Sequence, residues 1–192
     1  MKISIIFHSV CGNDYLVAKE FYNNLKKKSD DSVSIYRVED LDWKEQADVS
    51  QKAKENLKEM NELPIASPSV MLDSDLVIIG SPTYFGNVSA EMKIFMDSVA
   101  IYWFEAKLAG KKIVAFTSAG NTEGGGSLTL AAINTFGQYM GMLPIPVPTN
   151  TVAGQPISAY GIIHYSSAKY GESLDDKTIV AVDKFTDYLL KL

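Results

Sequence analysis

Three short stretches carry the residues best suited to chemistry, and the chemistry they suit is binding. Ser9-Val10-Cys11-Gly12-Asn13-Asp14 offers a hydroxyl, a flexible backbone amide and an amide side chain without any cation. A small-residue turn opening a helix gathers N–H donors and the positive end of the helix dipole at one point, which makes an anion site. Pro82-Thr83-Tyr84-Phe85-Gly86-Asn87 sets two rigid aromatic faces between a residue that fixes its backbone and one that frees it, a surface for a flat ring. Ser118-Ala119-Gly120-Asn121-Thr122-Glu123-Gly124-Gly125-Gly126 has the glycine density that lets backbone amides come close to a ligand edge.

Each stretch also has a plainer reading. Ser9 and Asn13 are common helix caps, Tyr84 and Phe85 could close a core, and a glycine run can be a mobile surface loop. The first loop favours a monophosphate over a triphosphate: it lacks the Gly, four residues, Gly-Lys-Ser/Thr pattern of a P-loop and the three spaced glycines of a dinucleotide fingerprint.

The elements around these loops decide whether they meet. Leu76 to Ile79 is a short apolar run between turn formers, which predicts a strand buried on both faces, as in a parallel sheet covered by helices. Lys2–Phe7, Ser32–Val38, Lys112–Phe116 and a short Met142–Ile145 run predict four more strands. Helical spacing recurs in Leu16, Val17, Phe21 and Leu25; in Met92, Phe95, Met96 and Val99 behind an N-capping Ser89; and in Leu128, Leu130, Ile133, Phe136 and Met140. A helix is expected over 44–60, and no chemistry is assigned to it. The closing helix, Leu174 to Leu192, is expected to turn Ile179, Val182, Phe185 and Leu189 inward and to be capped by Ser173. Residues 146–173 read as loop. Strands alternating with helices imply a parallel sheet with right-handed crossovers, and ligands bind such sheets at the carboxyl ends of their strands. The three loops follow the first, third and fourth strands and so fall on that one edge.

Composition narrows the function. A chain of 192 residues is long enough for one substantial core, and a single domain over 1–192 is expected. A net charge of −5 argues against a duplex-DNA binder, which needs a basic face. Cys11 is the one cysteine, so no intrachain disulfide forms and a reducing, cytoplasmic compartment is expected. No apolar run is long enough to span a bilayer, and His8, His164 and one thiol give no zinc-ligand spacing. Consecutive bulky residues at Ile101-Tyr102-Trp103-Phe104 exceed what one helix face can bury; some are expected to be exposed unless a partner chain or ligand covers them.

The arrangement of phosphate loop, aromatic loop and glycine-rich loop resembles the FMN site of the flavodoxin-like fold: a doubly wound α/β fold with a five-stranded parallel sheet of order 2-1-3-4-5 and helices on both faces. Gly80 to Ser89, Met92 to Asp97, Trp103, Gly110-Lys111, the Ser118 to Gly126 loop and Gly141-Met142 more closely resemble the WrbA family of NAD(P)H:quinone oxidoreductases. The resemblance implies FMN as cofactor and NAD(P)H as co-substrate. It puts the FMN phosphate on Ser9, Gly12, Asn13 and Asp14, and counts Val10 and Cys11 among the cofactor-binding residues. The isoalloxazine then lies against Pro82, Thr83, Tyr84, Phe85 and Gly86, with Ser118, Ala119, Gly120 and Asn121 at its pyrimidine edge and Gly124 also binding the cofactor. Trp103, Tyr84 and Met140 would line the substrate site, Trp103 in part from a neighbouring subunit of a homo-oligomer, dimer or tetramer.

This sequence departs from the family pattern at Asp14, where related loops carry Thr or an apolar residue. An ionised carboxylate about 4 Å from one phosphate charge costs roughly 4 kcal/mol at an effective dielectric near 20. Cys11 replaces a family Tyr and Met140 a flavin-site His, and Thr122-Glu123 lengthen the fourth-strand loop. The expected function is transfer of hydride from NAD(P)H, by way of FMN, to a quinone or similar small acceptor, the cofactor carrying the chemistry. The alternatives are a flavodoxin-type electron carrier, and a flavin-poor regulatory or partner-binding protein of the same fold.

Overall fold

The computed structural model describes residues 1–41, 49–167 and 169–192. Its centre is a parallel sheet of β1 (Lys2–Phe7), β2 (Ser32–Arg37), β3 (Leu76–Pro82), β4 (Lys112–Ala119) and β5 (Leu143–Pro144), in the order β2-β1-β3-β4-β5. β1 and β3 are buried over almost their whole length, which is why they read as unbroken apolar runs rather than alternating ones. Around the sheet lie α1 (Asn13–Lys28), α2 (Gln51–Asn61), α3 (Pro68–Asp73), α4 (Ala90–Ser98), α5 (Gly126–Tyr139) and α6 (Asp176–Leu189).

The period of two along each strand splits the core into two layers. On one face Ile3, Ile5, Ile78 and Phe116 pack against Phe21 and Leu25 of α1 and Val182 and Phe185 of α6. On the other, Ile6, Val77, Ile79 and Ala115 pack against Met92 and Phe95 of α4 and Leu130 and Ile133 of α5. Helices on both faces and the strand order are those of the flavodoxin-like fold.

Several boundaries differ from the sequence reading. The sheet has a sixth strand, β6 (Ile162–Tyr165), inside the segment read as loop; it pairs in parallel with Phe116–Ala119 of β4, whereas β5 pairs with Lys112 and Ile113. The fifth position is thus filled by two short strands in line along β4. β4 itself runs to Ala119, three residues beyond the expected end. α2 begins behind Ser50, whose Oγ accepts the Ala53 N–H at 3.0 Å; the earlier part of the expected 44–60 helix falls mostly on residues 42–48, outside those described. Ile179, expected inward, is exposed, as is Leu128 at the start of its helical run.

The last helix is capped by Asp175, not Ser173. Its carboxylate accepts the Thr178 N–H at 2.9 Å and the Thr178 hydroxyl at 2.7 Å, and faces His164 Nδ1 at 3.0 Å. One side chain therefore caps α6 and ties it to β6. Asp175→Ala is expected to destabilise the protein by about 1–2 kcal/mol, read as a lower denaturant midpoint at unchanged slope.

Candidate active site

The loops after β1, β3 and β4 emerge on the same rim and enclose a cavity of about 380 Å³. Parallel register brings this about: Phe7 pairs with Gly80, and Pro82 with Ser118, so the three strand ends stand side by side. Ser9, Val10, Cys11, Asn13 and Asp14 line the cavity from the first loop, Pro82, Thr83 and Tyr84 from the second, and Ser118, Ala119 and Gly120 from the third.

The first loop is held by its own polar groups. Gly12, at φ 103°, directs its N–H to Ser9 Oγ at 3.1 Å and starts α1, whose first turn then points at the cavity. Asn13 Oδ1 accepts the Gly171 N–H at 2.7 Å, which leaves its Nδ2 as the donor end. Asp14 turns inward rather than away from the site: its Oδ2 accepts the Ser118 hydroxyl at 2.6 Å, and its Oδ1 is buried without a hydrogen-bond partner. Burial pushes its pKa up to about 7, against the opposing pull of Ser118. Burial also raises the Cys11 thiol and the Tyr84 phenol, so both stay neutral near pH 7. Behind this loop burial lowers the pKa of His8, against the raising influence of Glu91 and Asp40; the ligand atoms of these three residues lie within 4.8 Å of one another, a grouping that chain spacing did not show.

The second loop is a tight hairpin. Tyr84 and Asn87 exchange backbone bonds of 2.9 and 3.0 Å across Phe85 and Gly86, both at positive φ. Thr83 is fixed by its N–H to the Ser118 carbonyl at 2.9 Å and by its hydroxyl to Thr117 at 2.9 Å. A Cβ on Gly125 would stand 2.9 Å from Gly86 Cα, so the second and third loops pack backbone against backbone.

Not every expected site residue reaches the cavity. Phe85 projects fully into solvent at the hairpin tip, and Gly86 faces Leu128. Gly12 packs its Cα against Asn56, behind the loop. Asn121 bends its Oδ1 back to the Glu123 N–H at 2.9 Å, and Gly124 closes that same turn onto the Asn121 carbonyl. Trp103 and Met140 lie farther off. α4 starts beside the cavity and runs antiparallel to the strands, so the turn after it reaches the start of β4, roughly 20 Å away along that strand. There the Trp103 indole donates to the Tyr139 carbonyl at 3.1 Å, and Met140 is buried. Trp103 is half exposed and Phe104 almost wholly so, as the excess of bulky residues implied.

Three lining residues escaped the sequence: Val49, Ser166 and Tyr170. Ser166 continues β6, its N–H bonding the Ala119 carbonyl at 2.9 Å, and the chain then passes over the first loop through Tyr170 and Gly171. The tyrosines spread through 160–170 were the available signal.

These residues fit FMN. The start of α1 supplies amides for a phosphate, Pro82–Tyr84 and Ser118–Gly120 stand side by side in the lining, and a Cβ on Gly120 would meet nothing within 4 Å, so that edge is open to a ring. The unpartnered Asp14 Oδ1 fits an anion when the carboxyl is protonated and opposes it when ionised.

Fold and site together define a flavodoxin-like protein. The chain belongs to the NADPH-dependent FMN reductase family, whose model matches residues 1–156, and it is accordingly a flavin-linked oxidoreductase. It is 32% identical over 148 residues to an NAD(P)H dehydrogenase (quinone) of Chromohalobacter salexigens, covering 77% of this chain and 71% of that protein. Among solved structures it is similar to a flavodoxin, WrbA-like protein from Agrobacterium tumefaciens, with TM-score 0.65, 16% identity and coverage of 99% of this chain and 95% of that one. Flavodoxin 1 from Bacillus cereus superposes with TM-score 0.65 at 14% identity, over 100% and 98% of the two chains. The resemblance to WrbA-type proteins read from the loops is thereby borne out.

Proposed function

We propose that the protein passes hydride from NAD(P)H to a quinone or similar small acceptor through FMN held in this cavity. The observation that carries the reading is the convergence of three sequence-distant loops on one rim, around a single cavity that the start of α1 also lines. The quinone dehydrogenase relative supports the choice of acceptor. FMN, when bound, supplies the hydride-accepting and hydride-donating chemistry.

The chain's own residues bind and orient. The first turn of α1 and the side chains of Ser9 and Asn13 take the phosphate, fixing the cofactor at one end. Pro82, Thr83 and Tyr84 cover one side of the slot and keep water from it. Beside them Ser118, Ala119 and Gly120 bring backbone to the cavity, where oriented N–H donors would stabilise negative charge that develops on a ring edge. The half-exposed Trp103 and exposed Phe104 suit contact with a second copy, so that in a homo-oligomer Trp103 reaches a neighbour's substrate site rather than its own. A reducing cytosol suits a chain whose one cysteine, Cys11, can form no intrachain disulfide. Among the described residues no helix is long and apolar enough to cross a membrane.

The test is FMN titration of apoprotein followed by steady-state oxidation of NADPH or NADH with a soluble quinone. Saturable FMN binding and quinone-dependent turnover are expected. Tight FMN binding without turnover would instead make the protein an electron carrier.

A further inference from the structure

The polar segment before Pro64 carried no assigned chemistry, yet α2 sends one polar side chain into the interior. Its buried positions are Ala53, Asn56 and Met60, and Asn56 is 2% exposed. An amide in an apolar stripe is unfavourable unless its hydrogen bonds are made, and those of Asn56 are made to the candidate site. Its Nδ2 donates to the Gly171 carbonyl at 2.7 Å and to the Cys11 carbonyl at 3.3 Å. Gly171 in turn donates its N–H to Asn13 Oδ1 at 2.7 Å. First loop, α2 and the 169–171 strap therefore form a closed ring of hydrogen bonds beside the start of α1.

The ring has no slack. A Cβ on Gly171 would stand 1.9 Å from the Cys11 carbonyl oxygen, and one on Gly12 2.2 Å from Asn56 Nδ2. The bond to Asn56 also sets the Cys11–Gly12 peptide plane. With its oxygen turned toward α2, the Gly12 N–H, which points the opposite way in the same plane, meets Ser9 Oγ at 3.1 Å. Released, that carbonyl could swing its negative end toward the anion.

We propose that Asn56 is a positioning residue of the phosphate subsite, holding the Cys11 carbonyl away from the anion and the Gly171 strap down on the loop. This rests on the FMN reading above. Asn56 acts only through the loop, so its removal should be felt by the phosphate and not by the ring. The experiment compares FMN with riboflavin, which lacks the phosphate, by fluorescence quenching in the natural protein, Asn56→Ala and Asn56→Leu. The leucine variant keeps the branched shape at a somewhat larger volume and removes the donor, while the alanine variant removes it without adding bulk. In both variants the preference for FMN over riboflavin is expected to fall at least tenfold, with riboflavin affinity changed less than threefold. Equal losses for the two ligands would make Asn56 a general packing residue and overturn the proposal, as would a preference left intact. A natural protein that binds FMN no better than riboflavin would remove the phosphate subsite itself, and the FMN placement with it.

Discussion

Asp14→Asn is expected to bind FMN at least tenfold more tightly than the natural protein at pH 8, with the two nearly equal at pH 5. The carboxyl group is buried at the phosphate end of the cavity, with one oxygen on Ser118 and the other unpartnered. With a pKa near 7 it is neutral at pH 5 and mostly ionised at pH 8. A charge about 6 Å from a phosphate charge is repelled by about 3 kcal/mol at an effective dielectric near 20. Cys11 and Tyr84, which face the same space, are held neutral by burial and do not add to that repulsion. In the natural protein FMN should therefore bind with uptake of a proton, its Kd rising toward tenfold per pH unit above about 7. Asparagine keeps the shape and removes the charge, so its profile should follow only the ionisation of the phosphate. Fluorescence titrations between pH 5 and pH 8.5 read both slopes, and parallel slopes would show that Asp14 does not titrate against the ligand.

Stability in the absence of ligand should follow the same group. A carboxyl whose pKa is raised on folding binds more protons in the folded than in the unfolded state between the two values. Stability is thus fully present below the ordinary carboxylate pKa and is lost as pH rises toward the folded value. From 3.8 to about 7 the loss approaches about 4 kcal/mol. Asp14→Asn should unfold at higher temperature than the natural protein at pH 8 and show no such gain at pH 4.

The sequence marked out the site's rim but not everything that closes it. β1 and β3 are apolar runs buried on both faces and cut off by turn-forming residues, so periodicity and punctuation alone place the loops after them. β6 gave no such signal. Its four residues include His164 and Tyr165, and it is a strand because β4 extends to Ala119 and offers a free edge there. Long-range pairing, not local propensity, makes it. Asn56 looks like surface on a polar helix; only the positive-φ glycines at 12 and 171, packed against it, show that the amide is interior. The placing of Trp103 depended on direction: a helix that starts at the rim must carry its far end away from it, whatever residue types stand there.

Gly161→Ala is expected to cost the protein about 3 kcal/mol and to loosen the site from the side that the sequence did not reveal. Gly161 leads into β6 at φ 149°, and a Cβ there would stand 2.1 Å from the Ala115 carbonyl oxygen and 2.9 Å from Leu130 Cδ2. The oxygen belongs to the backbone of a central strand, so β6 has to yield. Its displacement would strain the bonds from Ser166 and Ser167 to the Ala119 and Gly120 carbonyls, and with them the path of Tyr170 over the cavity. A melting temperature lower by roughly 6–12 °C is expected for a chain of this size, together with weaker FMN binding. Gly110→Ala separates the two contributions. Gly110 also has positive φ, 79°, but a Cβ there meets nothing within 4 Å, so only backbone strain of about 1 kcal/mol applies. If the two variants melt alike and bind FMN alike, close packing of β6 on β4 is not what holds the strap over the site.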